Sequence, residues 1–243
     1  MLTNYHNRFK TRGKFIYEPT EGCTRRGDQV VNFIRRTITF PDYFYHFSSG
    51  GHVAALHDHI RNRLFFKIDI QNFFYSIARN RIQRALASNG MRGAPTYAAW
   101  STVRSPFPTG PKYVLPIGFV QSTHLASLVL MQSPVLDALA EARSKGILIS
   151  VYLDDIIGSH SDEGLLTAAY EAIQLACVKS NFVPNAEKLS PPRDTIVAFN
   201  CNVRLGNTEV TPERETKFYS KFPGLRARIS FLDYVHRVSR QNT

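Results

Sequence analysis

The stretch Ile147-Leu-Ile-Ser-Val-Tyr-Leu-Asp-Asp-Ile-Ile-Gly158 (ILISVYLDDIIG) sets two adjacent acids inside an otherwise apolar run. A carboxylate taken out of water is costly unless a partner or a metal compensates it. Local geometry offers a way out. Ile147–Leu153 reads as a strand and Ile156–Ser159 resumes one, so Asp154 and Asp155 fall at the turn of a β-hairpin, where Asp tolerates the backbone well. The acids then stand at a hairpin tip and not in mid-core.

A second acid occupies the same kind of position. Leu64-Phe-Phe-Lys-Ile-Asp-Ile70 is rich in aromatic and β-branched residues and reads as a buried strand ending near Asp69. Two antiparallel strands side by side would bring Asp69 close to Asp154. Carboxylates so gathered repel one another unless cations neutralise them. Hard oxygen ligands suit Mg²⁺, and two such ions about 3.5–4 Å apart serve in-line phosphoryl displacement. An isolated Asp-Asp is most often a simple turn; the apolar strands on either side and the upstream acid favour the metal reading.

Composition agrees with a polyanion partner. The chain of 243 residues is 43% hydrophobic and carries a net charge of +11, enough apolar content for one large domain or two packed lobes. Residues 1–67 hold 11 Lys/Arg against 5 acids and residues 201–243 hold 8 against 4, while the centre is nearly neutral. Basic flanks of this kind suit nucleic acid ahead of anionic lipid. Cys23, Cys177 and Cys201 are too scattered for a disulfide framework or a zinc finger. His52, His57 and His59 read as surface or capping groups, with no structural zinc. With no signal-like stretch in MLTNYHNRFKTRGKF and no 18-residue apolar run, a cytoplasmic chain without a membrane partner is expected.

Helices are expected at Arg79–Ser88, at Asp162–Ser180 with Leu166, Ala169, Ile173 and Cys177 as its apolar stripe, and from Ser122 to Ala142. Ser122 is the expected N-cap of the last, and Pro134 should kink or split it. Asn181-Phe-Val-Pro-Asn185 is a break. Alternating helices and strands indicate an α+β or α/β fold.

FFKIDIQNFFYSI, YVLPIGFVQSTHLASLVL, VYLDDIIGS and FVPNAEKLSPP occur in that order. They resemble motifs A, B, C and D of reverse transcriptases, with the nearest likeness to the bacterial group of retron, abortive-infection and other phage-defence enzymes. The 85 residues between Asp69 and Asp154 suit that palm. The resemblance implies an α+β right-hand fold, with fingers at 1–67 plus part of 79–112. It implies a palm at 68–200, built on an antiparallel sheet flanked by helices, and a motif E region with a short thumb at 201–243.

Carried over by position, the resemblance implies that Asp69 and Asp154 ligate two Mg²⁺ ions (Mn²⁺ as substitute), with Asp155 as supporting ligand or electrostatic neighbour. The backbone at Ile70 and Gln71 would face the metal and triphosphate, and Phe74 would screen the sugar 2′ position in favour of deoxynucleotides. Gly118 and Ser122 would meet nucleotide and template, and Lys188 would meet the triphosphate or protonate pyrophosphate. Arg35 and Arg36, with Arg25, Arg26, Arg61 and Arg63, are suited to grip phosphates or simply to carry surface charge.

Two departures from the pattern concern motif B. Leu115-Pro-Ile-Gly118 stands where Leu-Pro-Gln-Gly is usual, leaving Gln121 to substitute from one turn away, and Thr123 replaces a proline. A third is length. If Phe199–Leu205 is the primer-gripping hairpin, only two short helices (211–220 and 227–240) remain as a thumb, so a partner protein, a homo-oligomer or a structured non-coding RNA would complete the grip. The expected function is RNA-directed DNA synthesis from dNTPs on an RNA template, serving bacterial antiphage defence. The alternatives are untemplated or protein-primed synthesis at the same site, or a non-catalytic RNA-binding palm-like subunit. Phe74 opposes ribonucleotides, which argues against an RNA-directed RNA polymerase.

Overall fold

The computed structural model describes residues 3–242. Chain order begins with strands β1 (Tyr5–Thr11) and β2 (Lys14–Pro19), helix α1 (Glu21–Thr37), a 3₁₀ turn at Tyr45–Phe47, and α2 (Gly51–His59). There follow β3 (Leu64–Asp69), α3 (Phe73–Ser76), α4 (Arg79–Ser88), α5 (Ala94–Trp100), β4 (Val103–Arg104), β5 (Tyr113–Val114), α6 (Ser122–Met131) and α7 (Pro134–Ser144). The remainder is β6 (Leu148–Tyr152), β7 (Asp155–His160), α8 (Glu163–Lys179), β8 (Ser190–Arg193), β9 (Thr195–Ala198), β10 (Cys201–Arg204), β11 (Asn207–Val210), α9 (Pro212–Tyr219) and α10 (Leu225–Ser239). The fold is α+β with antiparallel sheets, 46% helix and 23% strand.

These residues form two compact units, one comprising residues 3–41, Gln71–Leu136 and Ser180–Phe182, the other Asp42–Ile70, Asp137–Lys179 and residues 183–242. In the first, Thr20 caps α1 by accepting from the Cys23 N–H, and Cys23, Gly27, Val30, Val31 and Ile34 form its buried stripe. Tyr17, Cys23, Tyr75, Val103, Val114 and Phe119 make a core there. Ser122 is not the cap of α6. It is the first helical residue, and its hydroxyl donates to the Pro116 carbonyl at 2.6 Å. Pro134 does divide the long helical stretch, opening α7 at the position where a missing N–H costs nothing.

The second unit is built on a four-stranded sheet in the order β6-β7-β3-β8. The run Leu64–Asp69 is central and almost wholly buried, which is why it lacks polar/apolar alternation. On one face the Phe66 ring lies over Gly158, its cross-strand partner, and packs on Tyr170 of α8. A Cβ at Gly158 would come within 2.3 Å of that ring. On the other, Phe65 and Ile157 join Leu56 and Ile60 around α2, together with Ala198, Val203, Phe231 and Val238. The expected Phe199–Leu205 hairpin is two consecutive turns. Phe199-Asn200 links β9 to β10 and Leu205-Gly206 links β10 to β11, giving a three-stranded sheet.

His59 departs from its expected surface role. It is 1% exposed, with Nδ1 and Nε2 placed 2.7 and 2.9 Å from the hydroxyls of Ser159 and Ser150, and burial pushes its pKa down to about 3. All three cysteines are free and buried. No single helix among the described residues is long and apolar enough to cross a membrane.

Candidate active site

The hairpin of β6 and β7 carries the acid pair, but its turn is one residue earlier than expected. Tyr152 pairs with Asp155, so Leu153 and Asp154 make the two-residue turn and Asp155 begins β7. Leu153, not an Asp, takes the left-handed conformation (φ 59°), which costs an L-residue roughly 1–2 kcal/mol. Two backbone groups hold the strained turn. The Ile70 N–H donates to the Asp154 carbonyl at 2.9 Å, and the Leu153 N–H donates to His46 Nδ1 at 3.3 Å.

Antiparallel pairing of β3 with β7 sets Asp69 directly opposite Asp155. Asp69 is 4% exposed, a buried acid that needs compensation. Its compensation comes from the segment after α8. Lys188 Nζ reaches Oδ2 at 2.8 Å, the Asn185 amide donates to Oδ1 at 3.0 Å, and the Asn185 backbone N–H donates to the Asp69 carbonyl at 2.8 Å. The Asp69 hydrogen bond, aided by the charges of all three acids, raises the pKa of Lys188. One ammonium thus senses the whole cluster.

Asp155 has its own cation. Lys67, two residues before Asp69, places Nζ 3.0 Å from Asp155 Oδ1, close but not aligned for a hydrogen bond, and the two side chains are 13% and 20% exposed. Sequence reading missed Lys67 and gave Asn185 no role. Lys67 carried one signal, a basic residue at i−2 of an acid in a strand, hence on the same face. Asn185 carried none, because 116 residues separate it from Asp69.

Among the described residues, no three His, Cys, Asp or Glu side chains close into a cation cage; lysines neutralise Asp69 and Asp155. The donors that do gather are hard oxygens, the kind Mg²⁺ and Mn²⁺ take. Beside Asp154 and Asp155 lies a cleft of about 690 Å³, walled by His52, Tyr152, Phe199, Phe231 and Tyr234 with Arg214. Its rings and guanidinium offer stacking and charge together.

The other expected residues lie in the first unit. Phe74 is half-buried in α3 against Phe73, and Gln71 is exposed. Gly118 has φ 113°, and a Cβ there would sit 2.2 Å from the Tyr17 carbonyl oxygen. Close packing of β2 therefore demands this glycine. Gln121 is 1% exposed, donates to Ser101 Oγ at 3.2 Å, and fills the space beside Gly27 of α1. Arg35 and Arg36 are exposed in the last turn of α1. Arg25 pairs with Glu21, and Arg26 lies over the Trp100 ring.

A central antiparallel strand and a tight hairpin thus present the acids at one end of a helix-backed sheet. The chain belongs to the reverse transcriptase (RNA-dependent DNA polymerase) family, whose model matches residues 26–195. No curated protein matches it. Its fold is similar to that of a foamy viral protease-reverse transcriptase solved with double-stranded DNA (16% identity, TM-score 0.53, 93% of this chain and 34% of that one). It is also similar to telomerase from Candida albicans solved with a fragment of telomeric RNA (9% identity, TM-score 0.57, 78% of this chain and 39% of that one). The chain thus spans somewhat over a third of the length of these proteins.

Proposed function

We propose that the chain is an RNA-directed DNA polymerase that adds deoxynucleotides to a 3′-hydroxyl. The observation that carries this reading is the in-register pairing of Asp69 with Asp155 at the Asp154 turn, with Lys188 answering all three charges. When divalent cations (Mg²⁺, or Mn²⁺ in its place) are held by Asp69, Asp154, Asp155 and the Ile70 carbonyl, the site gains the charge that activates a hydroxyl and steadies leaving pyrophosphate.

The chain's own groups supply the rest. Lys188, raised in pKa and so protonated, is placed to leave Asp69 for the triphosphate and to give its proton to the departing pyrophosphate. Phe74 would crowd a ribose 2′-hydroxyl and so select deoxynucleotides, while the Gln71 backbone faces the triphosphate. By the family's pattern Gly118 is the motif B position that meets nucleotide and template, with Ser122 holding that segment through its bond to the Pro116 carbonyl, and Arg35 and Arg36 are suited to bind phosphates. The aromatic cleft beside Asp154 stacks the terminal nucleoside of the primer. The exposed Arg226, Arg228 and Arg237 of α10 follow the duplex backbone, with a partner subunit or structured RNA as a further contact. The resemblance of the four motifs to those of bacterial defence enzymes supports a role in antiphage defence, in the cytoplasm.

The test is primer extension on an RNA template with Mg²⁺ or Mn²⁺. Wild type should incorporate dNTPs and Asp154→Asn should lose at least about 10³-fold, the scale of losing a principal transition-state charge contact. Equal incorporation by the two would refute the assignment. One observation favours a second reading, synthesis without template dictation: the Gln121 amide, the substitute for the missing motif B glutamine, is spent on Ser101. Sequencing products made with and without template separates the two.

A further inference from the structure

We infer that Arg81 and Arg84 of α4 form an oxyanion site that holds one phosphate group against the end of α6. The site lies within the first compact unit and uses none of the groups assigned above to catalysis.

From Gln71 to Leu136 the chain carries Arg79, Arg81, Arg84, Arg92, Arg104 and Lys112 and no Asp or Glu. Arg81 and Arg84 stand three residues apart and so share one face of α4. Neither forms a salt bridge among the described residues. Burial, and then the neighbouring charge of Arg84, lower the pKa of Arg81. Two like charges held this close call for an anion between them.

Geometry gives an independent sign. One face of the Arg81 guanidinium is taken by the Phe182 ring, whose centroid is 4.4 Å away. Its Nη1 is buried, and no group of the chain accepts from it. A buried donor without an acceptor is costly, the more so on a charged group. Arg81, Arg84 and Gln132 meet at a cavity of about 110 Å³, with Ala85 and Val129 as its apolar walls. The Gln132 Nε2 donates to Ser88 Oγ at 3.3 Å, which leaves its second hydrogen available. Water would satisfy the Nη1 donor but leave both charges uncompensated; an anion does both.

Size and donor geometry select the ligand. Pockets for drug-sized molecules run to about 300–1,000 Å³, so this cavity admits one small anion or the terminal group of a larger molecule. A carboxylate lies in one plane, whereas a tetrahedral phosphate turns oxygens toward donors from several directions and takes guanidinium groups in bidentate pairs. A phosphate seated here braces α4 against α6, the helix of motif B.

The test is thermal unfolding of the full wild-type chain and of Arg84→Gln across a series of inorganic phosphate, with chloride holding the ionic strength constant. Arg84 is exposed and glutamine is as good a helix former, so the variant keeps its fold. Wild type should show a saturable rise in Tm, roughly 5–11 °C at 100 times Kd. Titration calorimetry should give Arg84→Gln a Kd weaker by about 10- to 100-fold. Phosphate bound elsewhere, or its general action as a salt, raises both chains alike, and an equal response would overturn the inference. In phosphate-free buffer Arg84→Gln should melt no lower than wild type, because it loses a like charge. A lower midpoint there, with an unchanged response to phosphate, would also overturn the inference, since Arg84 would then serve the fold alone. So would acetate that raises the wild-type midpoint as far as phosphate does. Competition with phosphate by a 5′-phosphorylated oligothymidylate, and not by its 5′-hydroxyl form, upholds the site with a nucleic-acid end as its source. Competition by neither upholds it with free phosphate as the ligand.

Discussion

Replacing Lys67 by methionine removes the charge beneath the acids while keeping the length of the stem. Lys67 and Asp155 are both mostly buried and 3.0 Å apart, so the variant strands a carboxylate beside Asp69 and Asp154. Breaking a buried pair by removing one partner costs about 3–5 kcal/mol. Residual exposure of Asp155 and the nearby charge of Lys188 place the expectation at the lower end, about 3 kcal/mol. For a chain of this size that is a fall in Tm of roughly 6–12 °C. The assay is thermal or urea unfolding in chelator, on Lys67→Met, Asp155→Asn and the double variant. Asp155→Asn removes the stranded charge, so the double variant should recover about 2 kcal/mol relative to additivity. Added Mg²⁺ should raise the midpoint of Lys67→Met more than that of wild type, because an ion then supplies the charge the lysine gave. A Lys67→Met chain within about 0.5 kcal/mol of wild type, or strict additivity in the cycle, would refute the reasoning.

His59 makes the same unit acid-sensitive. Its folded pKa of about 3 lies below the ordinary 6.5, so the unfolded chain binds the extra proton. Its contribution is whole above pH 6.5 and is lost as pH falls toward 3. Near pH 4.5 the loss is about 2–3 kcal/mol, read as the difference in urea-unfolding free energy between wild type and His59→Gln across pH; a constant difference would show that burial is not what holds His59 neutral. Gly118→Ala should destabilise by more than about 2 kcal/mol, because its Cβ would meet the Tyr17 carbonyl at 2.2 Å and φ is 113°. An alanine variant of native stability would show that the Tyr17 strand yields.

Much of the fold was legible because period and punctuation are local. Arg79–Ser88 is a helix with the expected bounds, the apolar stripe of α8 is the expected one, and Pro134 splits its helix. The central strand announced itself through an apolar run too short for a helix. What was not legible depends on tertiary neighbours. Ser122 carries the chemistry of a cap, but the Pro116 carbonyl competes for its hydroxyl and wins. His59 reads as polar, and only two serines brought from β6 and β7 make its burial tolerable. The acids were visible, and so was Lys188; that Lys67 would pair with Asp155 and Asn185 would donate to Asp69 was not.

The apolar run around Asp154 and Asp155 is therefore a condition of the site and not an oddity within it. An acid presented by a soft, polar loop would turn to water and need no partner. Here the flanking strands bury Ile149, Val151, Ile156 and Ile157, so the turn cannot shift without exposing core. That rigidity over-determines Leu153 in its left-handed conformation, with the Ile70–Asp154 and Leu153–His46 bonds sharing the load. A glycine at 153 would relieve the strain but free the turn. Leucine instead lends its side chain to the wall of the cleft beside the acids. The paired lysines follow from the same rigidity: carboxylates that cannot relax away from one another must be neutralised where they stand. Ammonium groups on Lys188 and Lys67 do this with the residues of the chain alone. Lys188, whose side chain remains 55% exposed, is the solvent-facing cation of the two, while Lys67, 13% exposed, is the enclosed one.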